Sequence, residues 1–292
     1  MRPRNWTCAL VAFGFILAYF ATPANGTTPK KIPLTSPCGV TRDTHYDHVV
    51  VIMLENVGYS IVGSPVAPYF NQLTHNCGLA TNYVAVAHPS LPNYVALTSG
   101  STQGITDDGE PSSHPLRTAS IFSELGSNWR AQIESMPSAC DRVTSGQYAA
   151  RHNPAVYFTG ISASCQRNDL PMRLPLNLSA AFTMIVPNIC DDMHSCPVSV
   201  GDAWLRRIVP LIVASSQYQS RSLVLFITFD ENDSMASNQV PTVVIAPSTP
   251  RDERVSLRFN HYSLLRTIET LLRVGLLGQS KTARSMISPF HL

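Results

Sequence analysis

The sequence predicts an α/β fold in which helices cover both sides of a mostly parallel central sheet. Two near-continuous apolar runs, "HVVVIMLEN" (48–56) and "SLVLFITFDEND" (222–233), have the character of strands buried on both faces. Amphipathic segments such as "HYSLLRTIETLLRVGLL" (261–277) alternate with the strand-like runs, as parallel sheets require. The chain has 292 residues and 44% apolar content, which is enough for one large domain.

The N-terminal residues predict export from the cell. Two arginines precede an apolar run that starts near Cys8 and is followed by small residues. This is the layout of a secretory signal peptide, which we assign to residues 1–24 with cleavage near Ala24. A retained membrane anchor is the alternative, although the run is short for a bilayer span. We predict a loose lead-in at 25–45, a single domain at 46–292, and a secreted protein, free or associated with the cell surface.

Hydrophobic periodicity and the positions of glycine and proline give the remaining elements. Gly78 is expected to stop a helix, Pro92 to open a short buried one, and Pro210 to kink a longer one. The segment 137–180 has no regular pattern. In chain order we predict a strand at 48–54, helices at 67–78 and 91–100, a helix and a strand within 118–135, a strand at 180–188, a helix at 200–215, strands at 222–233 and 240–248, and a helix at 261–277.

Six cysteines follow the predicted signal peptide, and an even number in an exported chain indicates disulfides. Many pairings are possible. The cysteines lack the clustered spacing of a zinc site. Proximity along the chain favours the pairs Cys38–Cys77, Cys140–Cys165 and Cys190–Cys196.

Polar side chains follow three of the predicted strands. Ligands collect outside the carboxyl ends of parallel strands, so we expect these side chains to meet at one edge of the sheet. Crowded carboxylates repel unless a cation lies between them, and oxygen ligands suit Mg²⁺, Ca²⁺ or Mn²⁺ better than Zn²⁺. We therefore predict a divalent metal site. Its candidate ligands are Glu55, Asn56, Ser90, Asp192, Asp230 and Glu231, with Asp191 and Asp233 nearby and His194 and His261 as further ligands or proton donors.

Ser90 lies at the start of the short helix predicted within "AVAHPSLPNYVALTSG" (85–100). Helix N-termini attract anions, so a phosphate bound there would meet a hydroxyl activated by the metal. This arrangement predicts phosphoryl transfer to Ser90. The candidates to protonate the leaving oxygen are His88, His152, His194 and His261.

Each of these features also has a purely structural interpretation. Ser90 taken alone is more typical of a helix cap, and Glu55 with Asn56 could form a turn. Acids that end a strand are often only solvated. A single histidine is more often structural or exposed than catalytic.

Seven separated segments occur in one order between about His48 and Leu276: "VVVIMLEN", "HPSLPNYVALTSG", "ESMPSAC", "YAARHNPAVYF", "VPNICDDMH", "GDAWL" and "FDENDSMASNQVPTVVIAP". In sequence, order and spacing they resemble the phosphoesterase family of acid phosphatases and bacterial phospholipases C, within the alkaline phosphatase superfamily. The likeness is greatest to small secreted acid phosphatases that act on phosphomonoesters, including phosphatidylinositol 3-phosphate. The resemblance implies a three-layer α/β/α sandwich of the alkaline phosphatase type and a covalent phosphoenzyme intermediate.

The resemblance also implies residue roles. Ser90 falls on the nucleophile, and His152 and His194 fall on active-site histidines. The metal ligands that it implies are Glu55, Asn56, Asp230 and Glu231, with His261 at a superfamily ligand position and Asp192 as a weaker match.

The chain departs from the family pattern at a few positions. Asn232 and Ser135 replace acids, Ser234 replaces a glycine, and Arg151 replaces a lysine; "MHSC" stands for "MHDG". These departures bear on substrate choice and pH optimum more than on the chemistry.

We therefore expect a secreted, metal-dependent acid phosphatase that acts on phosphomonoesters of small molecules or lipid headgroups. A phospholipase C-type phosphodiesterase is one alternative, and a catalytically inactive phosphate- or lipid-binding protein is another. A sulfatase is less favoured because the chain has no Cys-X-Pro-X-Arg segment. With 14% charged residues, a net charge of +2 and no basic run, we expect no nucleic acid partner and no stable membrane insertion.

Overall fold

A computed structural model of the chain describes residues 36–233 and 237–292. The predicted signal peptide, its membrane-anchor alternative and the first part of the predicted lead-in lie outside the described residues. The rest of the lead-in, residues 36–45, contains no helix or strand. Within the described ranges, no helix combines the length and the apolar character needed to cross a membrane.

One sheet of eight strands forms the centre of the described residues. The strands are β1 (His48–Leu54), β2 (Gly78–Val84), β3 (Trp129–Ile133), β4 (Asp169–Pro171), β5 (Phe182–Val186), β6 (Leu223–Phe229), β7 (Gln239–Ile245) and β8 (Glu253–Val255). Their spatial order is β4-β3-β5-β1-β6-β7-β2-β8. Strand β7 is antiparallel to β6 and β2, and the other neighbouring pairs are parallel.

Helices cover this sheet. They are α1 (Pro68–Asn76), α2 (Ser90–Ser99), α3 (Ile121–Glu124), α4 (Ser162–Asn168), α5 (Val198–Val213), α6 (Ser216–Gln219), α7 (His261–Leu272) and α8 (Ile287–Phe290), with short 3₁₀ turns between them. Helix α1 packs against α5, and α2 packs against α7. Every residue of β5 and β6 is buried, as expected for strands covered on both faces. The predicted α/β fold with a mostly parallel sheet is confirmed.

Two predicted helix ends differ from the structure. The helix predicted to end at 277 ends at Leu272, because Arg273 adopts a left-handed φ of 58°. Gly78 opens β2 and does not stop α1. A Cβ at Gly78 would lie 2.7 Å from the ring of Phe290, so close packing explains why glycine stands there.

Three strands were not predicted. Strands β4 and β8 have three residues each, too few to show a pattern, and β2 contains polar residues at its centre. The segment 137–180, predicted as irregular, includes α4 and β4. The four long apolar strands that were predicted, at 48–54, 180–188, 222–233 and 240–248, correspond to β1, β5, β6 and β7.

The three predicted disulfide pairs are confirmed: Cys38–Cys77, Cys140–Cys165 and Cys190–Cys196. The last pair closes a short loop between β5 and α5. Asp192 and His194 lie within that loop, so the disulfide limits the positions that these two side chains can take.

Candidate active site

The carboxyl ends of three neighbouring strands, β5, β1 and β6, form the centre of the site. Glu55 follows β1, Asp230 follows β6, and Asp192 lies in the loop after β5. The Glu55 N–H donates to the Asp192 carbonyl over 2.9 Å, and the Asp230 N–H donates to the Leu54 carbonyl over 3.0 Å. The Asn56 N–H donates to the Asp230 carboxylate over 3.1 Å. These backbone contacts bring together acids that are far apart in the sequence.

Glu55 is fully buried and accepts two hydroxyl hydrogen bonds from helix α2. Ser90 Oγ donates to Oε2 over 2.9 Å, and the Tyr94 hydroxyl donates to Oε1. The two residues are one helical turn apart, so α2 presents both hydroxyls on the same face. The N-cap position belongs to Pro89, which makes no side-chain cap. The Ser90 hydroxyl therefore faces the acids and does not cap its own helix.

Asn93 fixes the loop that leads into Ser90. This fully buried side chain accepts hydrogen bonds from the Val86 and Ala87 N–H groups over 3.1 and 3.0 Å. Its amide nitrogen donates to the Ala87 carbonyl over 2.9 Å. The loop is thus held by the helix that carries the hydroxyl, which keeps the Ser90 side chain in one place.

His152 lies between two of the acids. Its Nε2 is 3.3 Å from Glu55 Oε2, and its Nδ1 is 3.2 Å from Asp192 Oδ2. The imidazole stacks on the Tyr94 ring, with centroids 5.5 Å apart and planes 7° from parallel. Packing and hydrogen bonding therefore both determine its orientation.

His88 and Glu231 form a second pair beside the nucleophile candidate. His88 Nδ1 contacts Glu231 Oε2, and the other carboxylate oxygen of Glu231 lies 3.5 Å from Ser90 Oγ. Within the described residues, His88 Nε2 has no hydrogen-bond partner. Glu231 thus holds one edge of the imidazole, and the buried Nε2 on the other edge has no hydrogen bond to the described part of the protein that a ligand would have to displace.

The electrostatics of the site follow from burial and crowding. Burial raises the pKa of Glu55 well above its ordinary value, and the charges of Asp230 and Asp192 raise it further. Burial and a neighbouring carboxylate raise the pKa of Asp230 to about 7 and that of Asp192 to about 8. Burial also raises the pKa of Glu231 to about 7 and lowers that of His152 well below its usual range.

These residues fit a divalent cation. Asp230 Oδ2 is buried without a hydrogen-bond partner among the described residues, which leaves one oxygen free for an ion. Glu55, His152 and Asp192 offer ligand atoms within 4.8 Å of one another. The mostly oxygen donors suit a hard divalent ion. A second group of similar closeness, Cys140, Cys165 and Asp169, is unsuitable because its thiols form a disulfide.

His261 has contacts that differ from those predicted for a metal ligand. Its Nε2 lies 2.6 Å from the Asp230 carbonyl, and its Nδ1 lies 3.0 Å from the Tyr83 hydroxyl. Both ring nitrogens are therefore engaged by the protein. His261 supports the backbone of Asp230 from a buried position, and burial lowers its pKa to about 4.

His194 lies at the rim of the site. Its Nε2 is 3.2 Å from an Nη of Arg151, and its Nδ1 is 3.0 Å from the Ser195 hydroxyl. A guanidinium can only donate, so His194 Nε2 is an acceptor and the ring proton lies on Nδ1. In this arrangement His194 cannot donate a proton through Nε2. Of the two adjacent acids in the same loop, Asp192 faces the site, whereas Asp191 lies 3.7 Å from Arg207.

Two residues of the site, Tyr94 and Asp108, were not predicted from the sequence. Tyr94 could have been found, because it lies four places after Ser90 on the same predicted helix. Asp108 could not, because it lies in a loop with no periodic pattern. Asp108 Oδ1 accepts the Leu91 N–H over 2.9 Å. The helix N-terminus that was expected to bind phosphate therefore has one of its N–H groups already engaged.

The chain is similar to known phosphoesterases and phosphatases. The sequence model of the Phosphoesterase family matches residues 63–275. A phosphatidylinositol-3-phosphatase of Mycobacterium tuberculosis is 30% identical over 245 residues, which are 82% of this chain and 81% of the relative. A phosphate-repressible acid phosphatase of Penicillium chrysogenum is 27% identical over 268 residues, which are 84% of this chain but 63% of that relative.

The fold is also found among solved structures. A protein of the alkaline phosphatase superfamily from Vibrio parahaemolyticus has a TM-score of 0.55, with 82% of this chain and 71% of that chain covered. The sequences are 12% identical, so the likeness concerns the fold alone.

Proposed function

The chain belongs to the Phosphoesterase family, and from this premise we propose that it is a secreted, metal-dependent acid phosphatase with a phosphoserine intermediate. The strongest support is the 2.9 Å contact between Ser90 Oγ and Glu55, where carboxylates from three strands converge. The names of the two relatives favour phosphomonoesters of small molecules or lipid headgroups as substrates. Three disulfides fit an oxidising compartment.

Glu55, Asp192 and Asp230 would hold the cation, with Asn56 and Glu231 beside them. Burial and mutual repulsion make three carboxylates costly here, and a positive ion offsets that cost. When bound, a divalent ion lowers the pKa of a neighbouring hydroxyl and neutralises charge on a phosphoryl group.

The protein groups then account for the proton transfers. Ser90 Oγ attacks phosphorus, and its proton passes to the carboxylate of Glu55, to which it is already hydrogen-bonded. The bond between phosphorus and the ester oxygen breaks, and His88 donates a proton from Nε2 to the leaving alcohol. Glu231 orients His88 through Nδ1. Water then attacks phosphorus and gives a proton to His88. The bond between phosphorus and Ser90 Oγ breaks, phosphate leaves, and Glu55 returns the proton to Ser90 Oγ.

The first test replaces the proposed nucleophile. Ser90→Ala should lower kcat for 4-nitrophenyl phosphate by at least about 10⁴-fold while the thermal unfolding curve stays unchanged. Ser99→Ala is the matched control, because Ser99 is a buried serine of the same helix. Among the described residues, its hydroxyl bonds only to backbone carbonyls and a glutamine side chain. Acid-quenched wild-type enzyme should carry phosphate on the Ser90 peptide.

Other outcomes would change the proposal. Activity that survives in Ser90→Ala removes Ser90 from the mechanism. Faster turnover of 4-nitrophenylphosphocholine than of 4-nitrophenyl phosphate would favour the phospholipase C-type alternative. Tight phosphate binding without turnover of any ester would favour the inactive binding protein.

A further inference from the structure

A guanidinium group lies at the rim of the candidate site and takes no part in the proton transfers proposed above. Arg151 directly precedes the buried His152, so its backbone position is fixed by the site itself. Its side chain is 23% exposed, which leaves part of it open to a ligand. One of its terminal nitrogens donates to His194 Nε2 over 3.2 Å.

The Nε donor of Arg151 is not satisfied by the part of the protein that the structure describes. Its Nε is buried and has no hydrogen-bond partner among the described residues. Asp108 Oδ2 lies 3.6 Å from this nitrogen, which is close enough for ionic attraction but too far for a hydrogen bond. A guanidinium has five N–H donors in a planar fork, and it recognises carboxylate or phosphate oxygens through two of them at once.

Asp108 connects this guanidinium to the proposed nucleophile. One carboxylate oxygen accepts the Leu91 N–H over 2.9 Å, next to Ser90 in the chain, and the other lies beside Arg151. The charge of Arg151 also influences the pKa of both His152 and Asp192, which places the group within electrostatic reach of the site. The site carries several acids, so a fixed positive charge at its rim favours the approach of a phosphate anion.

We propose that Arg151 is an anion-binding residue of this site: its guanidinium binds non-reacting oxygens of the substrate's phosphoryl group, and Asp108 positions it beside the Ser90 helix. This inference rests on the proposed function. It assigns anion recognition to a side chain at the rim, in place of the helix N-terminus where Asp108 already engages an N–H group.

The test measures inorganic phosphate, both as a competitive inhibitor of 4-nitrophenyl phosphate hydrolysis and as a ligand in calorimetry. Arg151→Gln, which keeps much of the side-chain length, and Arg151→Ala should weaken phosphate binding and raise KM by about 10- to 100-fold. Arg151→Lys keeps the charge and should recover part of the loss. Millimolar guanidinium ion should partly rescue Arg151→Ala.

Arg207→Ala is the matched control. It removes the same charge from a side chain that is 66% exposed and lies near Asp191, so phosphate binding should stay within about twofold of wild type. Thermal unfolding of every variant separates loss of binding from loss of fold.

Two results would overturn the inference. Phosphate inhibition in Arg151→Gln equal to that of wild type would show that the guanidinium does not bind the anion. A fall in kcat with unchanged phosphate inhibition would assign Arg151 to the orientation of His194 only. In both cases an active wild-type enzyme leaves the proposed function intact. A wild-type protein that hydrolyses no phosphate ester contradicts the proposed function instead, whatever the variants bind.

Discussion

Glu55 and Glu269 are both glutamates with no exposed surface, yet their surroundings differ. Glu269, on α7, has both oxygens paired: one accepts the Leu277 N–H over 2.9 Å and the other accepts the Ser280 hydroxyl over 2.5 Å. It ties the segment after α7 back to the helix. Glu55 also accepts two hydrogen bonds, but both come from hydroxyl groups, and two further carboxylates raise its pKa.

The contrast shows that burial of an acid does not by itself mark a functional site. Burial raises the pKa of Glu269 to about 7 and that of Glu55 well above its ordinary value, so a raised pKa does not separate the two either. The two glutamates differ because Glu55 lies beside two other buried carboxylates. Asp230, beside Glu55, keeps a buried oxygen without a hydrogen-bond partner among the described residues. Such an oxygen is costly unless a cation or substrate uses it.

Neutralising each glutamate in turn tests whether only Glu55 takes part in catalysis. Glu55→Gln should lower kcat/KM by about 10²- to 10³-fold, because it removes the proposed acceptor of the Ser90 proton and one proposed ligand charge. Glu269→Gln keeps the shape of the side chain and one acceptor oxygen, and its amide nitrogen can donate to the Ser280 hydroxyl, so activity should stay within about twofold of wild type. Steady-state hydrolysis of 4-nitrophenyl phosphate measures both. Equal losses in the two variants would mean that the distinction between them is wrong.

The difference between the two regions also explains what could be predicted from the sequence. Strands β1, β5, β6 and β7 are long and apolar, and hydrophobic burial alone specifies them. Their polar ends predicted where Glu55 and Asp230 meet, since parallel strands place their carboxyl ends at one edge of the sheet.

Contacts that arise from loops could not be predicted. Two examples are the contact of Asp108 with Leu91 and the contact of His261 with the Asp230 carbonyl. Both depend on tertiary packing, which produces no periodic pattern in the sequence. The same holds for Glu269. Its position in the sequence fits an amphipathic helix, and only the structure shows that its carboxylate binds Leu277 and Ser280 in the segment after α7. The residues alone left Ser90 open between a helix cap and a nucleophile, and the resemblance to the family favoured the nucleophile.

A smaller effect is expected from the cation itself. If the acids around Glu55 bind a divalent ion, millimolar Mg²⁺, Ca²⁺ or Mn²⁺ should stabilise the fold, by about 3 kcal/mol at a concentration one hundred times the Kd. The pKa of Asp230 is raised to about 7 and that of Asp192 to about 8, so both are protonated at lower pH. An ion must then displace protons, and the stabilisation should shrink between pH 8 and pH 6.

Thermal unfolding with and without each ion, at both pH values, measures this. Asp230→Asn is the informative variant, since it removes the unpaired charge and should abolish most of the response. Glu269→Gln should respond like wild type, because its carboxylate has no part in the ion site. A response that survives in Asp230→Asn would place the ion elsewhere.

The smallest predicted effect concerns Glu269 and the pH dependence of stability. Its pKa is about 7 in the folded chain and near 4.5 when unfolded. Between these values the unfolded chain has released a proton that the folded chain retains, so the free energy of unfolding falls as pH rises from about 4.5 to 7 and then levels off. Wild type should lose about 1 to 3 kcal/mol over this window that Glu269→Gln does not lose.

Chemical unfolding at pH 5 and pH 8 measures that difference, and subtracting one protein from the other cancels the titration of acids common to both. Glu124→Gln is the control, because Glu124 is an exposed neighbour whose charge contributes only a minor part of the raised pKa. If wild type and Glu269→Gln lost the same free energy between the two pH values, the paired carboxylate would titrate normally. Glu269 would then be an ordinary ionised acid held by its hydrogen bonds, and the likeness of its pKa to that of Glu55 would disappear.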